Sequence, residues 1–261
     1  MTRWVAFAGL TLFLLTVLLF SARASTRVVD ELAETGDPTG AERLPDGADH
    51  LDVIDAPPPS TPQVSKRALL ANVALSHGLF AAVLLAGIAL ANVPISSLGI
   101  GSGAVSGVTA VGIGIGIGLC LAVVNTAAGA IAGAFDADPS GPLRELLAPD
   151  SIAGWLVLLV VVLPIIAGFE ELLFRAVLVG GFSVGFDLSP WALAVGSSVA
   201  FAAGHGAQGW IGIVATGAFG FVLAAIFVVS GSLLVVAVAH YVVNAVEFVV
   251  VEGTGYEPFG D

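Results

Sequence analysis

From Ala68 to Val251 the chain is a succession of apolar runs. Each stays nearly free of charge for close to the roughly 20 residues a helix needs to cross about 30 Å of hydrocarbon. No water is at hand there, so every backbone N–H and C=O must be satisfied inside the protein, which leaves helix bundles and closed β-barrels. A barrel is built from alternating segments of about ten residues, and these runs are too long and too uniform for that. The sequence therefore predicts an all-α fold, a polytopic transmembrane helix bundle of about seven to eight membrane helices.

The composition agrees. Of 261 residues, 57% are hydrophobic and 11% charged, and the mean hydropathy is +1.01. A soluble domain carries about 25% charged residues. The net charge of −12 is concentrated, with nine of the twenty acids between Asp30 and Asp55, and Lys66 is the only lysine. Acidic excess with arginine in place of lysine points to a halophilic source, where a carboxylate-rich surface stays hydrated. An acidic chain offers nothing to a phosphate backbone, so nucleic acid is excluded as a partner. Cys120 is alone, which excludes an internal disulfide and any Cys-x-x-Cys site.

Three regions follow from the order of these features. Residues 1–24, with Arg3 ahead of the uncharged run Trp4 to Phe20, read as an N-terminal transmembrane anchor. Ala22-Arg23-Ala24 resembles a signal-peptide cleavage triplet, but its arginine favours an uncleaved helix. Residues 25–66 form an acidic linker containing Pro38, Pro45 and Pro57-Pro58-Pro59, a composition too poor in apolar surface to fold. Neither region carries a candidate site residue, so both are expected to be dispensable for chemistry. Arg23, Arg27, Arg43, Lys66 and Arg67 place the linker on the cytoplasmic side of a multi-pass cell-membrane protein.

Residues 67–261 hold the remaining spans: Ala68 to Ala91, Val105 to Ala134, Ile152 to Ile166, Pro190 to His205, Ile211 to Val229 and Leu233 to Val251. Gly112, Gly114, Gly116 and Gly118 form two overlapping G-x-x-x-G spacings, a face for close helix contact. Arg144 stands isolated in the polar connection Asp136 to Asp150. Pro164 interrupts its run, so a new or kinked helical section is expected to begin near Glu170.

Within these runs lie the few polar residues that need a reason to be there. A charge in hydrocarbon costs roughly 2.5–3.5 kcal/mol, yet Glu170, Glu171 and Arg175 occur together between uncharged stretches. On a helix Glu171 and Arg175 share a face and can pair, while Glu170 points about 100° away. That leaves one carboxylate free to take a proton from water. His205 lies between Gly204 and Gly206, which allow another backbone or a substrate to approach, with Phe201 one turn earlier. His240 and Asn244 are co-facial and offer two hydrogen-bond donors to one point, as an oxyanion requires. Glu247 continues that face and reads as interfacial.

The three clusters, Glu170-Glu171…Arg175, Phe201…His205 and His240…Asn244, resemble the motifs E-E-x-x-x-R, F-x-x-x-H and H-x-x-x-N of the CPBP family. These are the CAAX proteases and bacteriocin-processing enzymes, also called the Abi family of intramembrane glutamic endopeptidases. The resemblance covers roughly residues 150–252, and all motif positions match. It implies that Glu170 with His205 activates water and that His240 with Asn244 forms an oxyanion hole. Glu171 and Arg175 would support the site or contact substrate. The implied activity is hydrolysis of a peptide bond in a membrane-associated protein or peptide, without metal or cofactor, with CAAX-type C-terminal processing as one form. Two rivals stand beside it. One is a zinc protease drawing histidine and glutamate ligands from separate helices. The other is a transporter or scaffold that uses the buried charges as a relay.

Overall fold

The computed structural model describes residues 2–35, 65–101, 105–133 and 141–254. Those residues form eight helices and no strand: α1 Trp4–Thr35, α2 Lys66–Ala91, α3 Gly107–Gly133, α4 Gly141–Leu147, α5 Ile152–Phe186, α6 Pro190–Ala203, α7 Gly209–Ser230 and α8 Leu233–Gly253. Six of them are long and apolar enough to cross a membrane; α6, at 14 residues, is a shorter apolar helix, and α4 has only seven. At 1.5 Å per residue α6 is about 21 Å long. The fold is the all-α polytopic bundle that the apolar runs require.

Pro164 does not break α5. A π-helical stretch at Leu158–Val162 precedes it, and Pro164 takes the first turn of the α-helical section Leu163–Glu171. A proline lacks an N–H and its ring crowds the carbonyl four residues back. Widening the helix just ahead of it removes both problems, so the chain continues as one span. A second π-helical stretch, Leu172–Gly181, then carries Arg175. The same widening recurs in α8, whose last part, Phe248–Gly253, is π-helical.

The glycines of α3 set the position of α8. A Cβ on Gly114 would lie 2.7 Å from Cβ of Val238 and 2.8 Å from the carbonyl oxygen of Val235. On Gly118 it would lie 2.7 Å from Cβ of Val242 and 2.8 Å from the carbonyl oxygen of Ala239. Gly112 and Gly116 meet nothing within 4 Å. One G-x-x-x-G pair thus forms the contact seam, and the other looks away from it.

The first helix is more than an anchor. Phe7 is buried beside Leu84, Ile88, Phe169 and Phe174 in the largest apolar cluster. Trp4 stacks at a tilt against Phe186, and the Arg3 N–H donates to the carbonyl of Ala91 at 3.0 Å. Helix α1 continues to Thr35, past the expected boundary at residue 24; the rest of the expected linker, residues 36–64, lies outside the described residues. Arg144 is not isolated either. Its guanidinium donates to Glu252 at 2.9 Å and to Glu247 at 3.0 Å, and Asn125 donates to Glu247 at 3.1 Å. This network fastens α3 and α4 to the end of α8.

Candidate active site

The site is assembled from three helices, α5, α6 and α8, with a contribution from α7. Glu170 and Glu171 close the α-helical section of α5, and Arg175 follows in its π-helical stretch. Glu171 is fully buried and Arg175 is 1% exposed. Arg175 Nη1 donates to Glu171 Oε1 at 2.8 Å, the pairing that the four-residue spacing allows. Nη2 donates to the carbonyl of Gly220 on α7 at 2.9 Å. The guanidinium carbon lies 4.7 Å from the centroid of the Phe201 ring, a cation–π contact that helps a desolvated charge. Close packing makes this possible: a Cβ on Gly220 would come within 3.0 Å of Phe201 Cδ1 and 3.4 Å of Arg175 Nη2.

Helix α8 brings His240 to both carboxylates. Its Nδ1 lies 2.7 Å from Glu171 Oε1 and its Nε2 lies 3.6 Å from Glu170 Oε2. An ionised carboxylate only accepts, so Nδ1 carries the proton in the short bond and Nε2 is turned towards Glu170. Glu171 Oε1 therefore takes donors from Arg175 and His240 together, whereas its Oε2 and the Nε of Arg175 are buried with no hydrogen-bond partner among the described residues. Arg175 and one carboxylate cancel; the second carboxylate leaves a net negative charge in a low-dielectric site.

The 3.6 Å gap between Nε2 and Oε2 is longer than a hydrogen bond. Both atoms can therefore face one small group about 3 Å from each, the arrangement a reacting atom needs. Asn244 follows His240 by one turn on the same helix. It is half-buried, and its amide makes no hydrogen bond among the described residues. His205, also half-buried, has Nδ1 at 2.8 Å from the carbonyl of Phe201. That bond fixes the proton on Nδ1 and leaves Nε2 as the acceptor. No hydrogen bond or ion pair joins His205 to Glu170 among the described residues; the histidine that meets Glu170 is His240.

Phe201 ties the three clusters together. It is 2% exposed, and its ring lies 4.6 Å from that of His205 and 6.1 Å, edge-on, from that of His240, besides underlying Arg175. The ring of Phe219 on α7 flanks His240 from another side at 5.4 Å. The sequence placed Phe201 one turn before His205, in the F-x-x-x-H motif, and offered nothing for Phe219 or Gly220. Their roles come from contacts between helices distant along the chain, and the one available signal was a glycine inside an apolar run.

Among the described residues no three histidine, cysteine, aspartate or glutamate side chains are grouped as metal ligands. The oxygen of Glu171 nearest His240 is also held by the guanidinium of Arg175.

Two carboxylates, an arginine and a histidine thus meet in the interior of an apolar helix bundle. Residues 152–246, which include every site residue named above, match the family model described as type II CAAX prenyl endopeptidase, Rce1-like, in agreement with the CPBP resemblance. No curated protein and no solved structure matches the chain.

Proposed function

We propose that the chain is a glutamic intramembrane endopeptidase that hydrolyses a peptide bond without metal. The observation that carries this reading is the meeting of His240 with Glu170 and Glu171, beside Arg175, in a buried site. Glu170 takes a proton from the attacking water, the work of a general base. His205, with Nε2 free to accept, orients that water. His240, held by Glu171 and protonated on Nε2, donates to the oxyanion as the carbonyl oxygen gains charge. Asn244 supplies the second donor. Glu170 then gives its proton to the leaving amine, so that water ends as the new carboxyl group and the amine hydrogen. Arg175 holds Glu171 in place, acting as a positioning residue.

The family description of the matched segment points to a protein or peptide substrate with a prenylated C-terminal CAAX sequence. A relay in a transporter would use the buried charges equally well, but it has no need of Asn244 one turn from His240. The test is cleavage of a prenylated CAAX-type peptide and its unprenylated form by the purified protein in lipid nanodiscs, with products mapped by mass spectrometry. Glu170→Gln keeps the shape of the side chain and removes the base, so turnover should fall by about 10²–10⁴. Equal cleavage by wild type and Glu170→Gln would overturn the mechanism.

A further inference from the structure

A trench of about 680 Å³ runs between α6 and α7, on a side of α6 centred roughly 120° from Phe201 at about 100° per residue. Val195, Val199 and Ala202 form one wall, and Ile213, Val214 and Phe221 the other. From Ile213 to Phe221 it is about 12 Å long at 1.5 Å per residue. Val199 is 65% and Val214 63% exposed, so the trench opens towards lipid. Its one hydroxyl, Ser198, is already donated to the carbonyl of Ala194 at 2.7 Å, leaving the walls without a free donor.

Polarity enters at one end only. Helix α1 meets the turn Gly206–Gln208, and a Cβ on Gly204 would touch Leu19 at 3.8 Å. One turn beyond Leu19, where the apolar stretch Trp4–Ala24 ends, the exposed Arg23 joins the lining next to Gly206. Arg23 makes no ion pair among the described residues. The end of the trench near Val195 and Phe221 is wholly apolar. A cation at the mouth, where a helix leaves the hydrocarbon, and an apolar interior reaching towards the bilayer centre make a polarity gradient with one natural complement.

We propose that this trench holds one acyl chain of an anionic membrane phospholipid, with the lipid phosphate on Arg23. The guanidinium fork matches phosphate oxygens, and basic groups near the membrane surface attract anionic headgroups. A transmembrane partner helix fits less well, because about 12 Å of trench would grip less than half of its roughly 30 Å span. The inference does not depend on the peptidase reading, since none of the residues placed in the catalytic machinery lines the trench.

The full-length protein, released from nanodiscs, is examined by native mass spectrometry with phosphatidylglycerol and phosphatidylcholine of identical chains. Wild type should retain the anionic lipid preferentially. Arg23→Gln should lose that preference, by about fivefold. Val199→Trp, at a lipid-facing position, should lower retention of both lipids, and the thermal unfolding of each variant confirms that it is folded. Equal retention of the two lipids by wild type would overturn the proposal. So would an Arg23→Gln variant with the wild-type preference, or a folded Val199→Trp variant with undiminished retention.

Discussion

Replacing Glu171 by glutamine separates the residue that assembles the site from Glu170, the residue proposed to perform the chemistry. Glutamine keeps the size of Glu171 and an oxygen where Oε1 lies, so the contacts to Arg175 and His240 at 2.8 and 2.7 Å can persist. The charge cannot. Arg175, 1% exposed, then lacks the carboxylate bound to it, and breaking a buried pair from one side costs about 3–5 kcal/mol. The Gly220 carbonyl and the Phe201 ring still hold the guanidinium, which places the loss near the lower bound. At about 2–4 °C per kcal/mol for a chain of this size, the unfolding midpoint should fall by about 6–12 °C. Turnover should fall as well, because His240 loses the carboxylate that fixes its tautomer; the corresponding loss in a serine-protease triad is on the order of 10⁴. Among the described residues Glu170 makes no hydrogen bond, its nearest partner being His240 at 3.6 Å, so Glu170→Gln should reduce turnover with the midpoint unchanged. Tryptophan fluorescence during heating in detergent, with peptide cleavage measured in parallel, reads both quantities. A Glu171→Gln variant as stable as wild type would refute the account, as would Glu170→Gln being the less stable of the two.

Asn244→Ala should cut turnover by about 10²–10³, the effect of losing one oxyanion donor, with no change in stability; a chelator that abolishes wild-type activity until zinc is restored would instead favour the metalloprotease. Gly118→Leu should destabilise the bundle by at least about 1–3 kcal/mol, the cost of overpacking a close contact, whereas Gly116→Leu, which meets nothing within 4 Å, should be tolerated in the same thermal assay. Phe7→Ala should cost about 3–5 kcal/mol, while replacing residues 36–64 by a glycine-serine linker of equal length should leave peptide turnover intact.

The apolar runs made the all-α bundle legible, because hydrocarbon leaves the backbone few options. Local spacing was legible too: the pairing of Glu171 with Arg175 follows from four residues on one helix. What spacing cannot express is the rotation of one helix against another. His240 and Asn244 read as co-facial, but nothing in their spacing says that His240 meets Glu171, 69 residues away. Arg144 looked isolated because its partners are 103 and 108 residues distant. The hold of Gly220 on Arg175 is invisible for a different reason: every residue has a carbonyl, and no side chain marks the one that is used. Hydropathy likewise reported that α1 is apolar, but a lipid-bathed anchor and a helix with Phe7 in the core have the same hydropathy.

Helix α6 has a consequence for the membrane around the protein. Its 14 residues, about 21 Å long, fall short of a hydrocarbon layer about 30 Å thick. The neighbouring spans do not share that deficit. A bilayer therefore has to thin or dimple at an end of α6 to meet it. A dimple brings water to a depth where the surrounding lipid admits none. The hydrolysis proposed above needs a supply of water, and a helix too short to span offers one route, so turnover is expected to vary with bilayer thickness.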